Sequence, residues 1–167
     1  TLGTHTGTHV DPEMHLVANG KGIDEVPMDC LIGWVKVFDL PDLDIKIGRE
    51  DLEALSIEEG DMVLLKTQNS SVSWDGSDFD KDFIYLSHEA AALLSEKKVR
   101  TVGVDYISVD GYRVSDMPTH MELKKGGVCV IERLRLDAVR EGTYFMVCLP
   151  LYIEGGDGGV ARAVLLK

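Results

Sequence analysis

Residues 34–38 alternate between side chains of opposite character with the two-residue period of a strand. Residues 62–66 behave differently. Met62, Val63, Leu64 and Leu65 follow one another without a polar break, the pattern of a strand covered on both faces. Residues 99–104 and 128–131 predict two more strands of this buried kind, the second ending on Glu132. Residues 144–152 and 160–166 predict two closing strands, joined across Gly155, Gly156, Asp157, Gly158 and Gly159.

Helical signals fall between these runs. Ser87 is placed to cap a helix over residues 88–98, with Glu89 in its first turn and Lys97 and Lys98 in its last; His88, at its start, reads as a local structural residue. Residues 47–55 predict a short helix with an acidic head, Leu52 and Leu55 inward. Thr119 answered by Glu122 is the signature of a capping box, and Gly126 and Gly127 stop the helix it would open. Residues 27–33 have room for one helical turn. Residues 19–22 and 59–61 are turns, and residues 68–82 form a long Ser- and Asp-rich excursion. Strands outnumber helices and helices lie between strands, so the pattern predicts an α/β domain with a mixed β-sheet. The length of 167 residues, with no repeat and no composition break, predicts one domain over residues 1–167.

Composition narrows the partners. A net charge of −12 argues against nucleic acid and anionic membranes, both of which need clustered Lys and Arg. No apolar run approaches the ~18 residues of a membrane span. Cys30, Cys129 and Cys148 are widely spaced in apolar runs and include no Cys-x-x-Cys pair. They read as buried thiols of a reducing, cytoplasmic compartment rather than as metal ligands.

The candidate chemistry is concentrated at the start. His5, His9 and His15, three of the five histidines, lie within twelve residues together with Asp11. Imidazole and carboxylate are the donors of zinc, manganese and iron sites. All four stand at odd positions, so an extended segment points them to one face. The β-branched Thr6, Thr8 and Val10, with Gly7 and Pro12, disfavour a helix. A straight strand would hold His5 and His9 about 13 Å apart, at roughly 3.3 Å per residue. Gly7 is therefore read as the bend that brings the two rings together.

The stretch His5-x-Gly7-Thr8-His9-x-Asp11, with His15, resembles the motif of the cyclase-like metal-dependent hydrolases, which include bacterial kynurenine formamidase and isatin hydrolase. It departs from the motif in having Pro12 directly after Asp11 and Glu13 where the family has proline. From His5 onward the resemblance covers essentially the whole chain. It implies a swivelling β/β/α fold, and a segment of about forty residues ahead of the motif that is missing before Thr1. It implies one zinc ion, or two, with manganese possible, and a ligand set of His5, His9 and Asp11 joined by the distant pair His120 and Glu132. It implies His15 as the catalytic acid–base residue and, from Asp105-x-x-Ser108-x-Asp110, a group that braces the ligands or contacts substrate. The activity implied is hydrolysis of a small amide, formamide or cyclic amide by metal-activated water, in a homodimer or homotetramer.

Two other readings compete. A non-haem Fe(II) oxygenase would use His9, Asp11 and His120 as its triad and Arg133 for a co-substrate carboxylate, but would leave His5, His15 and Glu132 idle. A catalytically inert metal-binding remnant is the other. Trp74, Phe79, Phe83 and Tyr85 are candidates to line a substrate pocket, or equally to fill a core.

Overall fold

The computed structural model describes residues 1–71 and 79–167. In chain order its elements are strand β1 (His9–Asp11), β2 (Ile32–Asp39), β3 (Lys46–Ile47), helix α1 (Arg49–Glu53), β4 (Met62–Lys66), β5 (Tyr85–Leu86), α2 (His88–Glu96), β6 (Thr101–Val104), α3 (Pro118–Lys125), β7 (Cys129–Glu132), β8 (Gly142–Pro150) and β9 (Gly159–Leu166). Short 3-10 turns cover Glu13–His15, Ile23–Glu25, Met28–Cys30 and Gln68–Ser71.

The mixed sheet closes on itself. Among the described residues, the order β1-β7-β6-β4-β2-β8-β9 returns to β1, because His9 and Val10 pair with Val160 and Gly159. Strands β2, β4, β6 and β7 are mutually parallel, while β8, β9 and β1 run antiparallel to their neighbours. The mixed β-sheet expected from the sequence is present, and its closure into a barrel is what the pattern did not foretell. Closure depends on β9 meeting a strand some 150 residues earlier, and local periodicity carries no trace of that pairing.

The unbroken apolar runs follow from a core on each side of the wall. Met62, Leu64, Val10, Val35, Val37, Ile131, Met146 and Cys148 belong to the cluster inside the barrel. Val63, Leu65, Val102, Val104 and Val130 belong to a second cluster outside it, beneath α2 and α3. Helix α2 contributes the stripe Ala90, Ala91, Leu93 and Leu94, and the Ser87 hydroxyl accepts from the Ala90 amide at 3.1 Å as its cap. His88 lies at the α2–α3 join, its Nδ1 3.3 Å from the Pro118 carbonyl.

The start of α3 differs from the capping box expected there. Its cap position is Met117, in left-handed backbone, and no side chain of the helix caps it. Asp110 caps it from outside, accepting from the amides of Thr119 at 2.9 Å and His120 at 3.1 Å, while the Thr119 hydroxyl donates to the Leu86 carbonyl. Residue 47 belongs to β3 rather than to the following helix.

Asp105 is a structural node. Its buried carboxylate accepts from the Thr67 amide (2.7 Å) and hydroxyl (3.0 Å) and from the Ser70 amide (3.1 Å) and hydroxyl (2.7 Å). Burial outweighs these donors and holds its pKa above the usual carboxylate value. Asp105→Ala would strand these buried donors, at about 1–3 kcal/mol each when fully unpaired. The expected loss is about 3 kcal/mol of unfolding free energy, read by urea titration, with the chemistry near His9 spared.

Candidate metal centre

The bend predicted at Gly7 is present. Gly7 has φ +69°, and only residues 9–11 of the opening stretch are strand. The Thr8 hydroxyl donates to the Arg133 carbonyl at 2.7 Å and the Thr8 carbonyl accepts from the Ala161 amide at 2.8 Å, pinning the bend to the ends of β7 and β9.

Strand register then builds the site. His9 stands directly opposite Glu132, and Asp11 opposite Val130. Val10, between them, points into the barrel, so His9, Asp11 and Glu132 share the outer face beneath α3. Helix α3 delivers His120 onto this face, and the turn Glu13–His15 swings His15 back over it. The four rings crowd together. His5 and His9 lie 4.9 Å apart between centroids, His5 and His15 4.3 Å, and His15 and His120 5.5 Å. All six residues that the motif and its resemblance single out, His5, His9, Asp11, His15, His120 and Glu132, therefore meet in one cluster.

Asp11 is its centre. One carboxylate oxygen lies 2.9 Å from His5 Nδ1 and 3.4 Å from His9 Nε2, and the other 3.4 Å from His120 Nε2. Glu132 approaches His9 Nε2 at 3.3 Å and His120 Nε2 at 3.1 Å, and accepts from the Val109 amide at 2.7 Å. Two tight triads result, His5–Asp11–His15 and His9–Asp11–Glu132, both sharing Asp11.

The residues fit a divalent cation on three counts. Both Asp11 oxygens and His120 Nε2 are buried and make no hydrogen bond of regular geometry, for all their close approach to the rings and carboxylates around them, a cost that a bound cation removes. The outward nitrogens of two rings are already tied, His9 Nδ1 to the Gly7 carbonyl at 2.8 Å and His120 Nδ1 to Asp110 at 2.6 Å. That support leaves each inward Nε2 its lone pair, as metal-bound histidines require. Finally, the field is negative. Burial alone would depress His120, yet the Asp11, Asp110 and Glu132 carboxylates lift it to about 11. Burial also opposes charge on His9, but Glu132 and Asp11 raise it. A field that holds protons this firmly favours a cation in the same place. His15 differs: burial prevails and holds it below the usual imidazole value.

The Asp105–Ser108–Asp110 group divides. Asp110 supports His120, and Ser108 accepts from the Asp110 amide at 3.1 Å, whereas Asp105 belongs to the node with Thr67 and Ser70. The described aromatic candidates pack on other residues of the fold. Phe83 stacks on Tyr106 at 4.5 Å, Phe79 meets Tyr112 at 5.3 Å, and Tyr85 lies against Gly111; Trp74 lies outside the described residues. The cysteines stay out of the cluster, and burial holds the Cys148 thiol up at about 12, far from the thiolate a metal needs. The sequence pattern missed Asp157 and Gly158, which lie against His5; a lone carboxylate inside a glycine run was the available signal.

A cavity of about 180 Å³ opens beside Asp11 and His120, walled by Leu16, Val26, Pro27 and Val128 with Lys21 and Lys124 among its polar residues.

Comparison with known proteins agrees with this geometry. Residues 1–111 match the Cyclase family model, described as "Putative cyclase". Kynurenine formamidase of Bacillus thuringiensis subsp. konkukian is 33 % identical over 165 residues, covering 99 % of this chain and 77 % of the relative. A solved structure described as a potential metal-dependent hydrolase with cyclase activity superposes with a TM-score of 0.93 at 39 % identity, over 99 % of this chain and 80 % of that one. An isatin hydrolase bound to the product analogue thioisatinate superposes with a TM-score of 0.85 at 25 % identity, over 100 % of this chain and 73 % of that one.

Proposed function

The chain belongs to the cyclase family of metal-dependent hydrolases acting on C–N bonds, and on that premise we propose that it hydrolyses an aryl formamide of the N-formylkynurenine type, releasing formate and the free aryl amine. The observation that carries the reading is the buried Asp11 carboxylate, within 2.9–3.4 Å of the His5, His9 and His120 nitrogens and grouped with Glu132. The kynurenine formamidases at about one-third identity support the formamide, and the apolar cavity wall suits an aryl group.

His5, His9, Asp11, His120 and Glu132 would hold the metal, one or two zinc ions by donor type, with manganese admitted by the same oxygens and nitrogens. A bound divalent ion supplies Lewis acidity and lowers the pKa of water toward about 7. The chain's own residues do the rest. Asp110 and the Gly7 carbonyl keep the His120 and His9 rings in the tautomer that points Nε2 inward. His15, held neutral by burial, accepts the proton that the attacking water loses and passes it to the departing amine nitrogen. Water oxygen bonds to the formyl carbon, the C–N bond breaks, and its electron pair leaves on nitrogen with that proton.

The oxygenase and inert-remnant readings give way here. The three residues the oxygenase leaves idle lie inside the cluster, and the relatives are hydrolases. We also propose a homodimer or homotetramer, supported by the exposed apolar strip of Trp34, Leu149, Val164 and Leu166 on β2, β8 and β9. Within the described residues no helix is long and apolar enough to cross a membrane, and the three free thiols support a reducing, cytoplasmic setting.

The test is formate release from N-formylkynurenine beside a lactam and an ester, with and without chelator. Chelator-sensitive turnover fastest on the formamide is expected. Faster lactam turnover would reassign the substrate, and chelator-insensitive turnover would overturn the metal chemistry.

A further inference from the structure

A histidine that lends one ring nitrogen to a cation carries its proton on the other and needs an acceptor for it. His9 and His120 have theirs, the Gly7 carbonyl and Asp110. His5 is the exception. Its Nδ1 turns to Asp11, while its Nε2 is buried, has no hydrogen-bond partner, and faces the glycine loop between β8 and β9. The acidic group facing that nitrogen is Asp157, with Oδ2 at 3.7 Å, just beyond hydrogen-bond range.

The loop is built to hold this position. The Thr4 hydroxyl donates to Asp157 Oδ1 at 2.9 Å. The Gly155 amide donates to Asp24 Oδ1 at 3.1 Å and the Ile23 amide to the Gly156 carbonyl at 2.9 Å. At Gly158 a Cβ would stand 2.6 Å from His5 Nε2 and 2.7 Å from Cε1, so a side chain there would drive the ring off Asp11.

From these contacts we infer that Asp157 is a positioning residue for the metal centre, accepting the Nε2 proton of His5 when Nδ1 takes up the cation, and that Gly158 is required for the ring to lie between them. This rests on the metal-hydrolase reading above. Asp157 differs from Asp110 in exposure: 56 % of its side chain is accessible, against 6 % for Asp110. The His5 side of the centre therefore has the more solvent-weakened support and is the side that gains and loses its ion more readily.

The test is zinc titration of the chain in competition with a chromophoric chelator, for wild type, Asp157→Asn, Asp157→Glu and Gly158→Ala. Losing such a support typically weakens metal affinity 10–100-fold. Asp157→Asn is expected to weaken the looser zinc step by about tenfold and leave the tighter step unchanged. Asp157→Glu should recover part of the loss, and Gly158→Ala should lose the looser step, with the metal-free melting temperature of Asp157→Asn at the wild-type value. Asp157→Asn titrating like wild type, whether zinc enters in one step or two, or weakening two steps equally, overturns the inference while leaving the metal centre standing. Wild-type protein that takes up no zinc overturns both.

Discussion

Asp11→Asn protein is expected to take up no more than a trace of zinc and to lose at least about 10³-fold in turnover, the several kcal/mol that a Lewis-acidic ion supplies, at tenfold per 1.36 kcal/mol. Among the described residues, Asp11 is the member the two triads share. Asparagine keeps the shape and one acceptor oxygen but surrenders the charge, and its amide turns a donor toward His5, His9 or His120. The readout separates ion loss from misfolding. Saturating zinc at about a hundred times its Kd stabilises wild type by about 2.7 kcal/mol. That increment in melting temperature should vanish in Asp11→Asn while the metal-free protein still melts cooperatively. A variant that keeps zinc and its thermal increment would remove Asp11 from the centre of the chemistry.

His15→Ala is expected to separate ion from turnover. Zinc content should stay at the wild-type level while activity falls by about 10²–10⁴, the usual contribution of positioned acid–base help. The ring sits 4.3 Å from His5 and 5.5 Å from His120, and burial keeps it neutral, so it can receive a proton where His120, tied by three carboxylates, cannot. The competing role is in the same geometry: His5, Asp11 and His15 also form a ligand triad. Loss of one zinc equivalent in His15→Ala would make it a ligand and leave the proton transfer without an assigned residue.

The opening stretch could be read because its geometry is local. Gly7 among β-branched residues predicts a bend, and the bend is there. Glu132 and His120 could not be read that way. Glu132 meets His9 only because β1 and β7 pair across more than a hundred residues, and spacing along the chain does not encode that register; family resemblance supplied both. Barrel closure was hidden for the same reason. At α3 a valid local signature lost to tertiary structure, since Asp110 takes the Thr119 amide that Glu122 would have satisfied and the Thr119 hydroxyl turns to the Leu86 carbonyl. Asp105 and Asp110 look equivalent in sequence, five residues apart, yet one braces a turn and the other a metal-facing ring. A pattern of residue types does not say which way a loop side chain turns.

The β1–β7 pairing carries one more consequence. Alternation in a strand is absolute, so sliding β1 by a single residue against its neighbours would bury His9 and Asp11 in the apolar lumen and evict Val10 to the helix side. Both exchanges are ruinous, one stranding charge in hydrocarbon and the other dismantling the centre. Misthreaded chains should thus be discarded by their own energetics, and zinc uptake by a refolded sample becomes a direct gauge of how much of it has threaded correctly.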